Sequence, residues 1–143
     1  METKVVRILL VDNNAAFLRI LQRFLRQHSD LDVVSTVSSA ETGLAETARL
    51  KPDVIVLDLT LNDMSGLQVI GQLRAALPPV RIVVLTLLDA QVYRQAALTA
   101  GADDFVSKVA MTVDLLPAVR QIAISRKEAS LDVVPAIGGN DDP

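Results

Sequence analysis

Residues 53–59 read Asp-Val-Ile-Val-Leu-Asp-Leu, a short apolar run interrupted only by Asp53 and Asp58. Four consecutive apolar residues with no polar alternation suit a strand covered on both faces, the environment of a parallel sheet. The same texture occurs before it at Val5–Val11 (VVRILLV) and after it at Val80–Leu85 (VRIVVL). Leu31–Val37 (LDVVSTV) is a weaker version and Asp104–Ser107 (DFVS) a short one.

Helical segments separate these runs. Phe17, Leu21, Phe24, Leu25 and His28 follow the rhythm of one helix face. Ser38-Ser39-Ala40-Glu41 reads as a capping box opening helix two from Ser38. Helix three is expected over Gly66–Ala76, stopped by Pro78-Pro79. Asp89 is placed to cap helix four and Gly101 to end it. Thr112 or Asp114 is placed to cap helix five, which is expected to reach about Lys127; this late start keeps Pro117 in the first turn. Five β-α units in strict alternation call for an α/β fold: a flavodoxin-like, doubly wound, five-stranded parallel sheet of order 2-1-3-4-5 with helices on both faces. In such sheets the ligand crevice lies at the carboxyl ends of the strands, where the order reverses between strands one and three. The expected domain covers 1–126. Residues 127–143, with Pro135, Gly138-Gly139 and Asp141-Asp142, read as a flexible tail or linker stub too short for an output domain.

The 143 residues suit one domain, and half apolar with 22% charged is a globular balance. No apolar run reaches the ~18 residues of a membrane span, and the N-terminus has no signal-peptide stretch, so a cytoplasmic setting is the default expectation. Cysteine is absent and His28 is the single histidine, which argues against thiol chemistry, a histidine metal site and a Ser/His/Asp triad. A net charge of −3 and four aromatic side chains (Phe17, Phe24, Tyr93, Phe105) argue against direct nucleic-acid binding. Arg19, Arg23 and Arg26 on helix one read as a solvated face.

Polar residues stand where the apolar strands stop: Asp12-Asn13, Asp58, Thr86 and Lys108. Two carboxylates, a carboxamide, a hydroxyl and an ammonium at one sheet edge suit phosphoryl transfer to a carboxylate. Asp58 is the candidate nucleophile. Asp12, Asn13, Asp58 and the Thr60 carbonyl are candidate oxygen ligands for Mg²⁺. Lys108 and the Thr86 hydroxyl would meet phosphoryl oxygens.

Val11-Asp12-Asn13, Asp58 through Gly66 (DLTLNDMSG), Thr86, and Gly101 through Lys108 (GADDFVSK) together resemble the signature blocks of receiver (CheY-like) domains of bacterial response regulators. The resemblance runs from about Lys4 to Arg126, and the last block is similar to receivers of helix-turn-helix regulators. It implies that Asp58 is a phosphoacceptor, Asp12 part of the acidic pair, Thr86 a switch hydroxyl, Phe105 an aromatic rotamer switch and Lys108 the site lysine. It also implies Mg²⁺ as cofactor, a histidine kinase as phosphodonor, and a downstream protein or separate output domain as receiver of the signal. Such a protein is not an enzyme but assists its own phosphorylation and dephosphorylation. The face of helix four, strand five and helix five, with Leu87, Leu88, Val92, Tyr93 and Met111, is an expected partner surface, for a homodimer among others. Thr60 and Leu88 stand at the positions that resemble controls on phosphate lifetime, and the apolar Leu88 implies slow loss.

This chain departs from the pattern at three places. Asn13 stands where a second acid is usual, Asn62 replaces a loop proline, and Val109 replaces the proline after the lysine. A trans bond is expected at Val109, since a cis bond would cost ~2.5–4 kcal/mol. These departures keep open a degenerate receiver that acts as a phosphorylation-independent interaction module. An aspartate-based phosphatase would want an acid at Asn14, and a flavin carrier a hydroxyl-rich loop in place of Asn13-Asn14-Ala15-Ala16. Several residues carry two readings: Asn13 as metal ligand or helix cap, Phe105 as core or moving switch, and His28 as a helix-end residue that favours the dipole.

Overall fold

The three most apolar runs form central strands because the chain buries both of their faces, while the two weaker runs form the edges. The computed structural model describes residues 4–88 and 91–124. In chain order it contains β1 (Val6–Val11), α1 (Ala15–Arg26), β2 (Leu31–Val37), α2 (Ala40–Leu50), β3 (Val54–Leu57), α3 (Gly66–Ala76), β4 (Arg81–Thr86), α4 (Gln91–Ala100) and β5 (Asp104–Ser107). A 3₁₀ turn at Lys108–Ala110 then runs into a fifth helix, α5, over 111–124. The strands pair in parallel in the order 2-1-3-4-5, as expected.

The two faces of the sheet feed two cores. Ile8 and Leu10 of β1, Val54 and Val56 of β3, and Val83 and Leu85 of β4 pack with Leu21 and Leu25 of α1 and Leu115 and Val119 of α5. The alternate residues, Leu9, Val11, Ile55, Leu57, Ile82 and Val84, pack with Val69, Ile70 and Leu73 of α3 and Ala97 of α4. Each such Val, Leu or Ile contributes at most about 1.5–3 kcal/mol of transfer free energy.

Local chemistry moves several boundaries. The strand β3 is shorter than the 53–59 run, with Asp53 and Asp58 flanking it and still bonding through their backbones to Arg7 and Val11. Helix α2 is capped by Ser39, whose Oγ accepts from the Thr42 amide, and not by Ser38. Thr112 and Asp114 do not cap helix five. The Ser107 hydroxyl accepts from the Val109 amide and starts the 3₁₀ turn, so α5 begins at 111 and Pro117 falls in its second turn. Pro117 cannot donate to the Val113 carbonyl, but Val113 is 72% exposed and water can take that place. Asp89, the end of helix five near Lys127 and the segment 127–143 lie outside the described residues. Gly101 ends α4 at φ +120°, a conformation that a side chain would strain. Gly66 is required for another reason: a Cβ there would sit 2.5 Å from Leu59 Cα.

Candidate functional site

Parallel register brings the strand ends to one edge. Val11 of β1 pairs with Leu57 of β3, Leu57 with Val84 of β4, and Thr86 with Ser107 of β5. The residues that follow, Asp12, Asp58 and Lys108, therefore emerge beside one another, with Thr86 at the end of its own strand. Lys108 Nζ lies 2.7 Å from Asp12 Oδ2 and 3.1 Å from Asp58 Oδ2. Both carboxylates are 3% exposed and Thr86 is fully buried. Two buried like charges need a counter-charge, and the ammonium between them supplies it.

The two carboxyls are driven apart. Burial, with the Asp58 charge behind it, pushes Asp12 above the usual carboxylate range against the opposing pull of Lys108 and the Asn14 amide. Burial also acts to raise Asp58, but hydrogen bonds from Thr86 and Lys108, the Lys108 charge and the Thr60 hydroxyl outweigh it and hold Asp58 low. Asp58 is thus ionised at neutral pH, the state in which its oxygens attack an electrophile.

Neighbouring loops complete the edge. The Thr60 hydroxyl donates to Asp58 Oδ2 at 2.9 Å, and its amide approaches Oδ1 at 3.3 Å. The Leu88 amide donates to Thr86 Oγ1, and Leu88 is half-buried. Asn14, not Asp12 or Asn13, caps α1: its Oδ1 accepts from the Phe17 amide while Asp12 Oδ1 accepts from the Asn14 amide. Asn13 instead donates from Nδ2 to Asn62 Oδ1 at 3.3 Å, so two of the three departures from the family pattern bond to each other. No described peptide bond is cis, so Val109 follows Lys108 in trans.

Phe105 is buried at 6% exposure, with the Arg94 guanidinium over its ring at 5.9 Å and donating to its carbonyl at 3.1 Å. Met111, expected on the partner surface, is instead the first residue of α5 and is buried in the core. Leu87, Val92 and Tyr93 are exposed. Arg19, Arg23 and Arg26 line a shallow hollow of about 360 Å³ on the outer face of α1. His28 lies just past α1, edge-on to Phe24 and 3.4 Å from Arg120, which clasps Asp30.

Four contributors escape a reading of the sequence. Phe17 covers Lys108, with Nζ 4.1 Å from the ring centroid. Asp63 accepts from the Ala40 and Glu41 amides and so ties the loop after Asp58 to α2. Asn62 and Arg94 are the others. Phe17 carried a signal as an apolar residue near the start of α1, which pointed to core, and Asn62 carried one as the residue in place of a loop proline; neither signal named the partner.

Asp12, Asp58, the Asn13 amide oxygen and the Thr60 carbonyl are all hard oxygen donors, and the Asn13 bond to Asn62 uses its nitrogen and leaves Oδ1 available. The donor set therefore fits Mg²⁺, with one charge fewer than a set containing a third acid. Among the described residues no group of three or more Asp, Glu, His or Cys side chains forms a metal cluster. No described helix is long and apolar enough to cross a membrane.

The profile of the response regulator receiver domain family matches residues 8–120. The response regulator protein VraR of Staphylococcus aureus is 33% identical over 118 residues, which cover 81% of this chain and 56% of VraR. The chain thus spans about half the length of the curated relatives it matches. A LuxR-family two-component response regulator from Aurantimonas sp. superposes with a TM-score of 0.82 at 25% identity, over 86% of this chain and 88% of that one. The signal receiver domain of the putative response regulator NarL from Mycobacterium tuberculosis gives 0.78 at 26% identity, over 84% and 97%.

Proposed function

This chain belongs to the response regulator receiver domain family, and from that membership we propose that Asp58 accepts a phosphoryl group from a phosphohistidine of a histidine kinase. The observation that carries this reading is a carboxylate held ionised while 3% exposed, with Lys108 Nζ 3.1 Å away and the Thr60 hydroxyl at 2.9 Å. Receiver domains generally act as non-enzymatic signalling modules.

Asp58 supplies the electron pair. A new O–P bond forms, the donor's N–P bond breaks, and the imidazole leaves with that electron pair and takes up a proton. Lys108 and Thr86 then donate to phosphoryl oxygens, which releases Lys108 from its bond to Asp58. Bound Mg²⁺, held by Asp12, Asn13, Asp58 and the Thr60 carbonyl, would screen the repulsion between Asp58 and the phosphoryl oxygens. The pull on Thr86 draws its neighbour Leu88 through the amide bond to Oγ1, and Phe105, beside β4, answers as the aromatic switch. Leu87, Val92 and Tyr93 then present an altered face to a downstream protein, an output domain or a second copy. A cytoplasmic setting goes with a kinase donor of this kind.

A second reading is favoured by Asn13. It leaves the site one negative charge short, and its side chain already has a partner in Asn62, as a phosphorylation-independent interaction module would need. Intact mass after incubation with a small-molecule phosphodonor and Mg²⁺ separates the two. One phosphate on the wild type and none on Asp58→Asn supports the acceptor reading. No phosphate on folded wild type at saturating Mg²⁺ supports the interaction module.

A further inference from the structure

An ammonium has three N–H bonds to place. Lys108 directs Nζ to Asp12 Oδ2 and to Asp58 Oδ2. On a further side stands the face of Phe17, with its centroid 4.1 Å from Nζ, well inside the ~6 Å reach of a cation–π contact. The Lys108 side chain is 9% exposed, so little water competes for the same position. The backbone that carries the ring is also held in place. Asp12 Oδ1 accepts from the Asn14 amide, Asn14 Oδ1 accepts from the Phe17 amide, and Lys108 returns to Asp12 Oδ2. Asp12, Asn14, Phe17 and Lys108 therefore form a closed circuit that joins the start of α1 to the end of β5.

We propose that Phe17 is a positioning residue: its ring face is the third partner of the Lys108 ammonium and the surface under which Nζ pivots from Asp58 to an incoming phosphoryl oxygen. A hydrogen bond to Asp58 must break when the phosphoryl group arrives. The attraction of a ring face is broad in direction, so Nζ keeps this partner while it exchanges oxygen for oxygen. A leucine of similar volume would retain the packing against the core and lose the attraction for the cation. The pivot rests on the reading of Asp58 as phosphoacceptor; the contact between ring and ammonium does not.

Phe17→Leu and Phe17→Tyr, each checked for wild-type unfolding midpoint, test the inference with two readouts. By NMR of lysine-labelled protein, ring current shifts the Lys108 ε-methylene protons upfield in wild type and Phe17→Tyr, and the shift is lost in Phe17→Leu. With a small-molecule phosphodonor, Phe17→Leu lowers the maximal phosphorylation rate about tenfold and leaves the half-saturating donor concentration unchanged, while Phe17→Tyr restores the rate. Unshifted Lys108 protons in the wild type overturn the contact, and equal rates in all three proteins overturn the pivot. Equal loss in both variants overturns it in favour of a packing role. A wild type with shifted Lys108 protons that takes no phosphate overturns the acceptor reading, and the pivot with it.

Discussion

Asn13 is one atom type away from a carboxylate, and its surroundings have adapted to the difference. Its amide nitrogen donates to Asn62 Oδ1 at 3.3 Å, whereas an aspartate at 13 could only accept, with the Asn62 amide turned over. A restored acid would add a unit charge beside Asp12 and Asp58. Such a charge at ~4 Å is worth up to ~4 kcal/mol at an effective dielectric near 20, and the exposure of Asn13 reduces that. Asn13→Asp is therefore expected to tighten Mg²⁺ binding by at least about tenfold in isothermal titration. Equal affinity in the two proteins would show that the Asn13 position does not face the metal. At this scale Asp12, Asp58, Thr86 and Lys108 were legible in the sequence, because a polar residue closing a buried strand has few bland explanations. The partners of Phe17, Asn62 and Asp63 were not, because each comes from a distant stretch of chain.

The loop between β3 and α3 shows how elements lock to one another. Gly66 lets the start of α3 lie against Leu59, where any Cβ would collide with backbone. Three residues earlier, Asp63 turns across to α2 and accepts its first amides, Ala40 and Glu41. Those two bonds hold the Asp63 carboxyl below the usual range. A group whose folded pKa is depressed stabilises the protein above its unfolded pKa, and that stability is lost as the pH falls through the folded value. Asp63→Ala should accordingly lower the urea midpoint at neutral pH, and its deficit should shrink in strong acid, where the wild-type carboxyl is also protonated. An equal deficit at both pH values would mean that the loss comes from the loop backbone and not from the carboxylate. Boundaries were the least legible feature at this scale. Ser39 displaced Ser38 as cap of α2, and the Ser107 turn drew α5 forward past Thr112 and Asp114. At α2 two adjacent serines were equally able to cap, and at α5 a serine upstream of both candidates started the turn.

Across the molecule, Asp103 ties several elements together. Its carboxylate accepts from Arg74 of α3 at 2.8 Å, from Arg81 of β4 at 3.3 Å and from the Ile82 amide at 2.8 Å. Arg74 continues to the carbonyls of Pro78, Val80 and Gly101. Asp103→Ala leaves two guanidinium groups and an amide short of a partner at a partly buried position, a loss of about 1–3 kcal/mol in chemical denaturation. A change under ~0.5 kcal/mol would place the cohesion of this side in the apolar core alone. The alternation of apolar runs with helical stretches was sufficient to read five parallel strands in the order 2-1-3-4-5, since a strand apolar on both faces must be covered on both, and right-handed crossovers leave few arrangements. The strand-end residues were readable for the same reason. The sequence did not determine which atoms meet. Lys108 between two carboxylates, the Phe17 ring over its ammonium, Asn13 bonded to Asn62 and Met111 turned into the core were decided by tertiary structure. Side-chain partners separated by tens of residues depend on register and helix rotation, which only the packed sheet and its two cores impose.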